Sequence, residues 1–298
     1  MIKKKIKEFG ADFLLLLVAL AWGGTFVIVQ DAIRDVPVYI FLFWRFGLSA
    51  LILGIVFYKR VLHINKENMF AGVILGIFMF LGFAFQTFGL SLTYSSTVAF
   101  ITGLNVIIVP FTLFVVFGKK ASIFSVFGAV CASLGLYFLT LNDFGGFGAG
   151  EFYSLICAFM FAFHIVFTDR YSKKYDVILL VIVQFFTVAV LSFILAFFID
   201  GSFLPSGFTA KFVNALIVTV LFATIFAFGV QTAMQRYTTP AKTAIIFTFE
   251  PVSAGIFGYC FANEKFSSIQ LFGALLIVSG MLVAEIGAYF RGVANAKK

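Results

Sequence analysis

Arg45, His164 and Glu250 are three ionisable residues that lie deep inside long apolar stretches of this sequence. A charge at the centre of a lipid bilayer costs on the order of 3 kcal/mol on insertion scales, so such residues usually face a protein interior or a water-filled cavity. There a carboxyl group can bind a cation or exchange a proton, and an imidazole can relay protons. A guanidinium group can hold a carboxylate.

Each of these residues also has a purely structural interpretation. Glu250 precedes Pro251, which favours a break or bend in its helix, and its carboxyl group could cap the backbone groups freed there. His164 could hydrogen-bond a neighbouring helix, and Arg45 could extend to the membrane interface or pair locally. We retain Glu250 and His164 as candidate binding residues and leave Arg45 between the two interpretations.

Neutral polar residues and one aromatic residue complete the candidate site. An offset of 145 residues pairs Gln86 with Gln231 and Asn105 with Glu250, so we expect these four to lie at related positions around a central cavity. The predicted substrate-binding residues are Trp22, Thr25, Gln86, Asn105, His164, Gln231 and Glu250.

The sequence predicts no catalytic residue, metal site or cofactor. An intramembrane enzyme would need a constellation such as HExxH or a serine beside a histidine, and His164 has no such neighbours. Cys131, Cys157 and Cys260 lack metal-binding spacing and are expected to be small buried apolar residues. The phosphate-binding motif GxxxxGK[ST] is absent, so ATP is not expected to be the direct energy source.

The elements that must position these residues are apolar helices. The chain is 62% hydrophobic and 11% charged, against about 25% charged in a soluble domain. Each apolar stretch approaches the roughly 20 residues that cross a bilayer as a helix. We therefore predict an all-α membrane protein with ten transmembrane helices and no water-soluble domain. The stretches cover about 11–30, 38–58, 69–90, 96–117, 121–140, 150–169, 177–199, 211–235, 241–262 and 267–289.

The positive charges predict how the helices are oriented. Of the 21 Lys and Arg residues, seventeen fall on one side of the predicted bundle, and only Arg34, Lys211 and Lys265 fall on the other. Because Lys and Arg favour cytoplasmic loops, this asymmetry places both termini in the cytoplasm and the protein in the cytoplasmic (inner) membrane as a multi-pass protein. It also makes nucleic acid a poor explanation of the net charge of +8.

The first stretch has a second interpretation. Its lysines, apolar run and Ala19-Leu20-Ala21 imitate a cleavable signal peptide. The apolar run continues past this segment through Val29, and removal of the first helix would leave an odd number of spans, contrary to the charge pattern. A retained first helix is therefore the favoured interpretation.

The 145-residue offset also divides the chain. Besides the pairs above, it matches Phe127-Gly128-Ala129 with Phe272-Gly273-Ala274 and Gly135 with Gly280. We predict a first five-helix repeat over 1–141, a Gly-rich linker over 142–150, a second repeat over 151–290 and a cytoplasmic tail over 291–298. Because five is odd, the second repeat must be inverted relative to the first, an architecture typical of transporters, although duplication alone could also build a stable bundle.

Several segments carry a family resemblance. Trp22-Gly23-Gly24-Thr25-Phe26-Val27 is similar to a first-helix WGxxF signature, and Arg45 falls where the family often has Arg. The segments 250–252, 263–267 and 270–274, followed by Gly280, look like its EPV, GE-rls and QllGa-G series. In this order they resemble the drug/metabolite transporter superfamily and, within it, the EamA-type ten-helix exporters, over essentially the whole chain.

Two departures limit what the resemblance implies. Gly118-Lys119-Lys120 replaces the family's Gly-Glu in the first half. The first stretch also lacks the mid-helix Glu of the small multidrug resistance relatives, so their proton-coupling scheme cannot be carried over.

The resemblance implies a secondary transporter that exports small organic metabolites by alternating access. Amino acids or related compounds lead as substrates, because the candidate residues combine aromatic, amide and hydroxyl groups with one carboxyl and one imidazole. Phosphorylated sugars are less favoured, because the candidate residues lack the Lys and Arg cluster that phosphates favour. Coupling of transport to protons is possible. The GxxxG motif of Gly72 and Gly76 permits close helix contact within the bundle or between two copies, so a monomer and a weak homodimer are both compatible with the sequence. The alternatives are a non-transporting sensor or scaffold and, less favoured, an intramembrane enzyme.

Overall fold

The computed structural model describes residues 2–118, 121–140, 147–235, 237, 243 and 246–295. The described part of the chain is all-helical and contains no strand. The helices are α1 (Ile2–Ala32), α2 (Val38–Val56), α3 (Tyr58–Val61), α4 (Lys66–Leu92), α5 (Ser95–Gly103), α6 (Asn105–Phe117), α7 (Ile123–Thr140), α8 (Ala149–Ser172), α9 (Val177–Ile199), α10 (Ala210–Val218), α11 (Ala227–Met234), α12 (Phe249–Phe261) and α13 (Ser268–Asn295), with a π-helix over Thr219–Phe226 between α10 and α11.

Eight helical segments within the described residues are long and apolar enough to cross a membrane. Large apolar side chains such as Val115 and Phe198, both 77% exposed, point away from the bundle, as expected for a surface that meets lipid. The chain is a multi-pass helical membrane protein. The described parts of the predicted ninth and tenth spans are α12 and the apolar portion of α13, Ser268–Ala284, so the count of ten stays a prediction. The predicted linker lies partly outside the described residues, at 142–146.

Two of the predicted spans contain a break in the helix, and the two breaks lie next to each other. The span predicted at 96–117 breaks at Leu104, between α5 and α6, a break that the sequence analysis did not anticipate. In the span predicted at 241–262, the helical residues 246–247 are followed by a turn at Thr248, and α12 begins at Phe249. Pro251 therefore lies in the first turn of α12, where its missing N–H costs no hydrogen bond. A Cβ added to Gly103 would lie 3.2 Å from the Pro251 ring, which shows that the two interruptions are in contact.

Glycines allow α7 and α13 to pack backbone against backbone. A Cβ on Gly135 would lie 2.6 Å from the Gly273 carbonyl oxygen, and a Cβ on Gly280 would lie 2.6 Å from that of Gly128. The pattern is reciprocal, because Gly128 and Gly273 are 145 residues apart, as are Gly135 and Gly280. Such reciprocity is what a two-fold relation between two similar segments produces.

Backbone conformation repeats at the same offset. Gly118 closes α6 with φ 66°, and Asn263, just past the end of α12, has φ 54°. Left-handed backbone at a helix end satisfies terminal carbonyl groups, and glycine and asparagine adopt it most readily.

The GxxxG motif of α4 is used inside the chain. A Cβ on Gly72 would lie 2.5 Å from Val183 Cβ, and one on Gly76 would lie 2.9 Å from the Gln184 carbonyl oxygen, so this face of α4 packs on α9. The motif therefore serves packing within the bundle, and it adds no support for a dimer.

We predict that Gly280→Ala destabilises the protein, because its methyl group would meet the backbone of α7. Overpacking of this kind costs about 1–3 kcal/mol. Gly54→Ala in α2 is the matched control, since a Cβ there meets nothing within 4 Å and alanine favours helix. The melting temperature of the detergent-solubilised protein should fall for Gly280→Ala and should not fall for Gly54→Ala. Equal values for both variants would contradict the close packing of α7 on α13.

Candidate functional site

A cavity in the middle of the bundle gathers the predicted residues. It encloses about 600 Å³ of space not filled by protein atoms, including its open side. All seven predicted residues line it. The other lining residues are Phe26, Val29, Arg45, Phe83, Leu90, Thr102, Phe161, Ile165, Phe228 and Phe247. We call this space the central cavity.

The central cavity is built by residues far apart in sequence. The seven predicted residues belong to the predicted spans one, three, four, six, eight and nine, and lining residues come from all six. Arg45 adds the second span, α2. The cavity is thus enclosed by helices from both halves of the chain.

Both interrupted helices present a polar residue to the central cavity. Asn105 is the first residue of α6, and Glu250 is the second residue of α12. The two are 7% and 8% exposed. A discontinuous helix near the membrane midplane is where transporters often bind their ligands, because its free backbone groups and side chains can face a solute.

Polar atoms in this cavity lack protein partners. Asn105 Oδ1 and Gln231 Oε1 are buried and have no hydrogen-bond partner among the described residues. Nor does the Glu250 side chain form a hydrogen bond or ion pair there. Buried polar atoms usually find a partner in the protein or in ordered water, so a solute that supplies hydrogen bonds would be favoured here.

His164 is held by a neighbouring helix. Its Nε2 lies 3.0 Å from Gln184 Oε1 of α9, and its ring packs edge-to-face on Phe228 at 5.9 Å between centroids. The hydrogen bond predicted by the structural interpretation is present. Because His164 also lines the central cavity, its imidazole is both positioned by α9 and able to meet a solute.

The first-helix motif brings α1 against α12. A Cβ on Gly23 would lie 2.6 Å from the Glu250 carbonyl oxygen, so only glycine permits this approach. Beside it, the Trp22 indole N–H donates to the Ala223 carbonyl oxygen at 3.0 Å and its ring packs on Phe228 and Phe247. The motif therefore places an aromatic wall in the same cavity as Glu250.

Arg45 is the site residue that the sequence analysis left undecided. Arg45 is 3% exposed and its guanidinium group lies inside the bundle. The interpretation in which its side chain extends to the membrane interface is therefore wrong. Nε donates to Thr224 Oγ1 at 2.8 Å, and the group lies 4.5 Å from the centre of the Phe83 ring. The signal that could have placed it was its depth within an apolar stretch, which is costly unless the bundle interior receives it.

A π-helix supplies the partners of Arg45. Within Thr219–Phe226 the carbonyl oxygen of Ala223 accepts from Trp22, as above, and from Arg45 Nη2 at 3.4 Å. Short π-helical turns are common at functional sites because they shift backbone groups out of the regular α-helical pattern. No sequence pattern used above indicated this segment.

Two further spaces adjoin the central cavity. Leu90 also lines a large vestibule whose polar residues include Asp31, Arg34, Glu151, Lys211 and Glu264. Ile165 and Phe247 also line a smaller chamber with Asp169, Gln235 and Thr243. The central cavity therefore shares Leu90 with the vestibule and shares Ile165 and Phe247 with the chamber.

Glu264 hydrogen-bonds the N-terminus of α5 beside the vestibule. Its carboxylate accepts the Ser95 amide and hydroxyl hydrogens at 2.9 and 2.6 Å, and those of Ser96 as well. An anion at a helix N-terminus is favoured by the free N–H groups and the helix dipole. Gly258 makes room, because a Cβ there would lie 2.6 Å from Glu264 Oε2. The GE-rls segment, which follows α12, thus connects the end of α12 to the start of α5 beside the vestibule.

The described residues contain no group of three His, Cys, Asp or Glu side chains arranged to hold a metal ion. Cys157 is buried within 3.6 Å of Thr102 Oγ1, whereas Cys131 is half-buried. The expectation of burial is wrong for Cys260, which is exposed on the outside of α12.

Comparison with known proteins decides the family. A family model described as the EamA-like transporter family matches residues 9–141 and matches again at residues 148–285. The chain belongs to the EamA-like transporter family. This EamA-like protein is therefore a membrane transporter and not an enzyme, and a small-molecule substrate is implied.

Individual relatives agree with this assignment. A protein named as an uncharacterized transporter of Archaeoglobus fulgidus is 31% identical over 94% of this chain and 87% of its own length. An uncharacterized transporter of Bacillus subtilis is 26% identical over 90% of this chain and 94% of its own. One solved crystal structure is similar in fold, with a TM-score of 0.68 at 17% identity, covering 92% of this chain and 96% of the other.

We predict that the central cavity admits small polar solutes. Single cysteines at Asn105 and Gln231, in a background whose native cysteines are replaced by alanine, should react with a small polar thiol reagent. Ser192→Cys in α9 is the control, because Ser192 is fully buried and does not line the cavity. Labelling followed by mass spectrometry measures the reaction. Inertness of all three positions would make Asn105 and Gln231 packing residues.

Proposed function

We propose that this protein is a secondary active transporter that exports small organic metabolites, with amino acids or related compounds first, by alternating access. The observation that carries the proposal is the central cavity, where the seven predicted residues surround one buried space inside an apolar helical bundle. Polar groups at such depth are costly, so their convergence on one space favours a binding role over a packing role.

The lining of the cavity fits a metabolite of modest size. Its apolar part is largely aromatic, and its polar part offers amide groups, two hydroxyls, a carboxyl, an imidazole and a guanidinium. Binding sites for small molecules combine apolar walls with a few placed polar groups in the same way. One guanidinium alone does not form the cationic cluster that phosphorylated sugars favour.

Symmetry supports alternating access. Four pairs of residues that are 145 apart line the central cavity together: Phe83 with Phe228, Gln86 with Gln231, Thr102 with Phe247, and Asn105 with Glu250. The reciprocal glycine contacts of α7 and α13 and the twofold family match support the same relation. We propose ten spans in two inverted five-helix repeats, 1–141 and 151–290, which can exchange conformations to open the site to either side.

The charge asymmetry supports an orientation. With both termini in the cytoplasm, the vestibule faces outward and the chamber of Asp169 and Gln235 faces the cytoplasm. We propose the cytoplasmic (inner) membrane as the location. A monomer suffices for this mechanism, since the central cavity is lined within one chain.

We predict that the purified protein, alone in liposomes, exchanges labelled amino acids across the membrane. Glu250→Gln keeps the size and hydrogen bonding of the side chain and removes its charge, so it separates electrostatics from the helix start at Pro251. If Glu250 couples protons, the Gln variant should exchange substrate and lose its response to a pH gradient. If Glu250 binds a cationic group of the substrate, exchange itself should fall.

The exposed Glu67→Gln in α4 is the matched control and should keep both activities. His164→Gln tests the second titratable group in the same assay. Wild-type exchange and wild-type pH response in Glu250→Gln and His164→Gln would leave both residues as structural contacts. The absence of flux for every solute in a metabolite mixture would contradict the transport proposal and favour a sensor or scaffold.

We predict that position 147 is labelled from outside the cell and position 173 from the cytoplasm. Phe147 and Lys173 are both exposed and lie at opposite ends of α8. Single cysteines at these positions, tested with a membrane-impermeant thiol reagent on intact cells and on inverted vesicles, distinguish the two sides. Labelling of both positions from the same side would refute the orientation. Labelling of position 147 from the cytoplasm and position 173 from outside would mean that the orientation is the reverse.

A further inference from the structure

Arg45 and Glu250 face the central cavity as opposite charges that do not pair with each other. Both are at least nine-tenths buried, and both line the same space. Among the described residues, no carboxylate forms an ion pair with Arg45 and no cationic side chain forms one with Glu250. Buried charges without partners are costly, so the proposed solute is expected to supply the partners.

The hydrogen bonds of Arg45 position the guanidinium without satisfying it. A guanidinium has five N–H donors. In the described structure Nε donates to Thr224 Oγ1 and Nη2 to the Ala223 carbonyl oxygen, and both acceptors are neutral. The rings of Phe83 and Phe46 lie 4.5 and 5.1 Å from the group and hold its plane. The donors that remain suit the two oxygens of a carboxylate.

Glu250 is fixed at its backbone and free at its carboxyl group. The Ser253 hydroxyl donates to the Glu250 carbonyl oxygen at 2.9 Å, and Gly23 packs against that carbonyl from α1. The carboxyl group itself receives no hydrogen bond from the described residues. A carboxylate with free oxygens binds an ammonium group well, because that group carries three donors.

An aromatic wall lies in the same cavity as the two charges. The Trp22 ring packs on Phe228 and Phe247 there, with ring centroids 5.0 and 5.4 Å apart. An apolar side chain would pack on these rings.

We propose that the central cavity binds its substrate as a zwitterion, with Arg45 holding the carboxylate, Glu250 holding the ammonium group and the aromatic wall contacting an apolar side chain. This assignment rests on the proposed transport function and makes Arg45 a specificity-determining residue. A zwitterion partners both buried charges at once, whereas a solute with one charge leaves the other without a partner.

Three probes of one shape test this assignment on the full-length protein in detergent. Phenylalanine carries both charges, phenylalanine amide lacks the carboxylate, and 3-phenylpropionate lacks the ammonium group. Affinity is measured from ligand-dependent thermal stabilisation. Loss of one charge-assisted contact should weaken binding about tenfold or more, so wild-type protein should prefer phenylalanine over both analogues by that factor.

The variants should divide the probes in opposite ways. Arg45→Gln should lose affinity for phenylalanine and 3-phenylpropionate at least about tenfold and keep its affinity for the amide. Glu250→Gln should lose phenylalanine and the amide and keep 3-phenylpropionate. Arg60→Gln and Glu67→Gln, both outside the central cavity, should match wild type. Arg45→Lys keeps the charge and should retain more affinity than Arg45→Gln, which provides a second variant if Arg45→Gln does not fold.

The crossed pattern separates recognition from a structural role. Equal weakening of all three probes in both variants would overturn the proposal, as would wild-type binding of an analogue as tightly as phenylalanine. No stabilisation by any probe would also overturn it. Liposome exchange of a metabolite mixture reports the transport function independently, so transport without the crossed pattern would reject the zwitterion assignment alone.

Discussion

The bilayer offers no water to a polar group, and this constraint governs the arrangement of the whole bundle. Many buried hydroxyl groups bond to a carbonyl of their own helix, as Ser49 does with Arg45 and Thr87 with Phe83. Long-range partners include irregular backbone, as when Ala223 accepts from Trp22 and Arg45, and distant side chains, as when Gln184 pairs with His164. Some polar groups of the central cavity, on Asn105, Gln231 and Glu250, find neither kind of partner among the described residues. The central cavity therefore contains polar groups that the protein itself does not satisfy.

The bilayer also explains why several helices pack with their backbones in close contact. In lipid the helices gain little from burying apolar surface, so they associate through small residues that allow close van der Waals packing. Gly128, Gly135, Gly273 and Gly280 join α7 to α13, and Gly23 joins α1 to α12. The first set holds the two halves together away from the site, whereas Gly23 brings Trp22 beside Glu250. The same packing rule thus stabilises the bundle in one place and shapes the cavity in another.

The apolar stretches and polar repeat pairs in the sequence were sufficient to predict an all-helical membrane protein and a set of residues that the structure brings around one cavity. Depth within an apolar stretch indicates that Arg45, His164 and Glu250 face the bundle interior, and the 145-residue offset relates Gln86 to Gln231. Three features could not be predicted. The break at Leu104 has no proline beside it, the π-helix has no sequence signature, and the partners of Glu264 are the distant Ser95 and Ser96. Each depends on contacts between helices that a single sequence does not reveal.

The symmetric and asymmetric parts of the site divide the work of transport under the proposed mechanism. Repeat-related residues such as Gln86 and Gln231 form the frame of the cavity, and a symmetric frame gives two conformations of similar energy. The ionisable residues break that symmetry, because Arg45 corresponds to Val190, His164 to Ala19 and Glu250 to Asn105. A frame without these charges would open to either side without selecting a solute. The charges select the solute, and their unequal positions make the two open states respond differently to it, which is the differential affinity that any ligand needs to shift a conformational equilibrium.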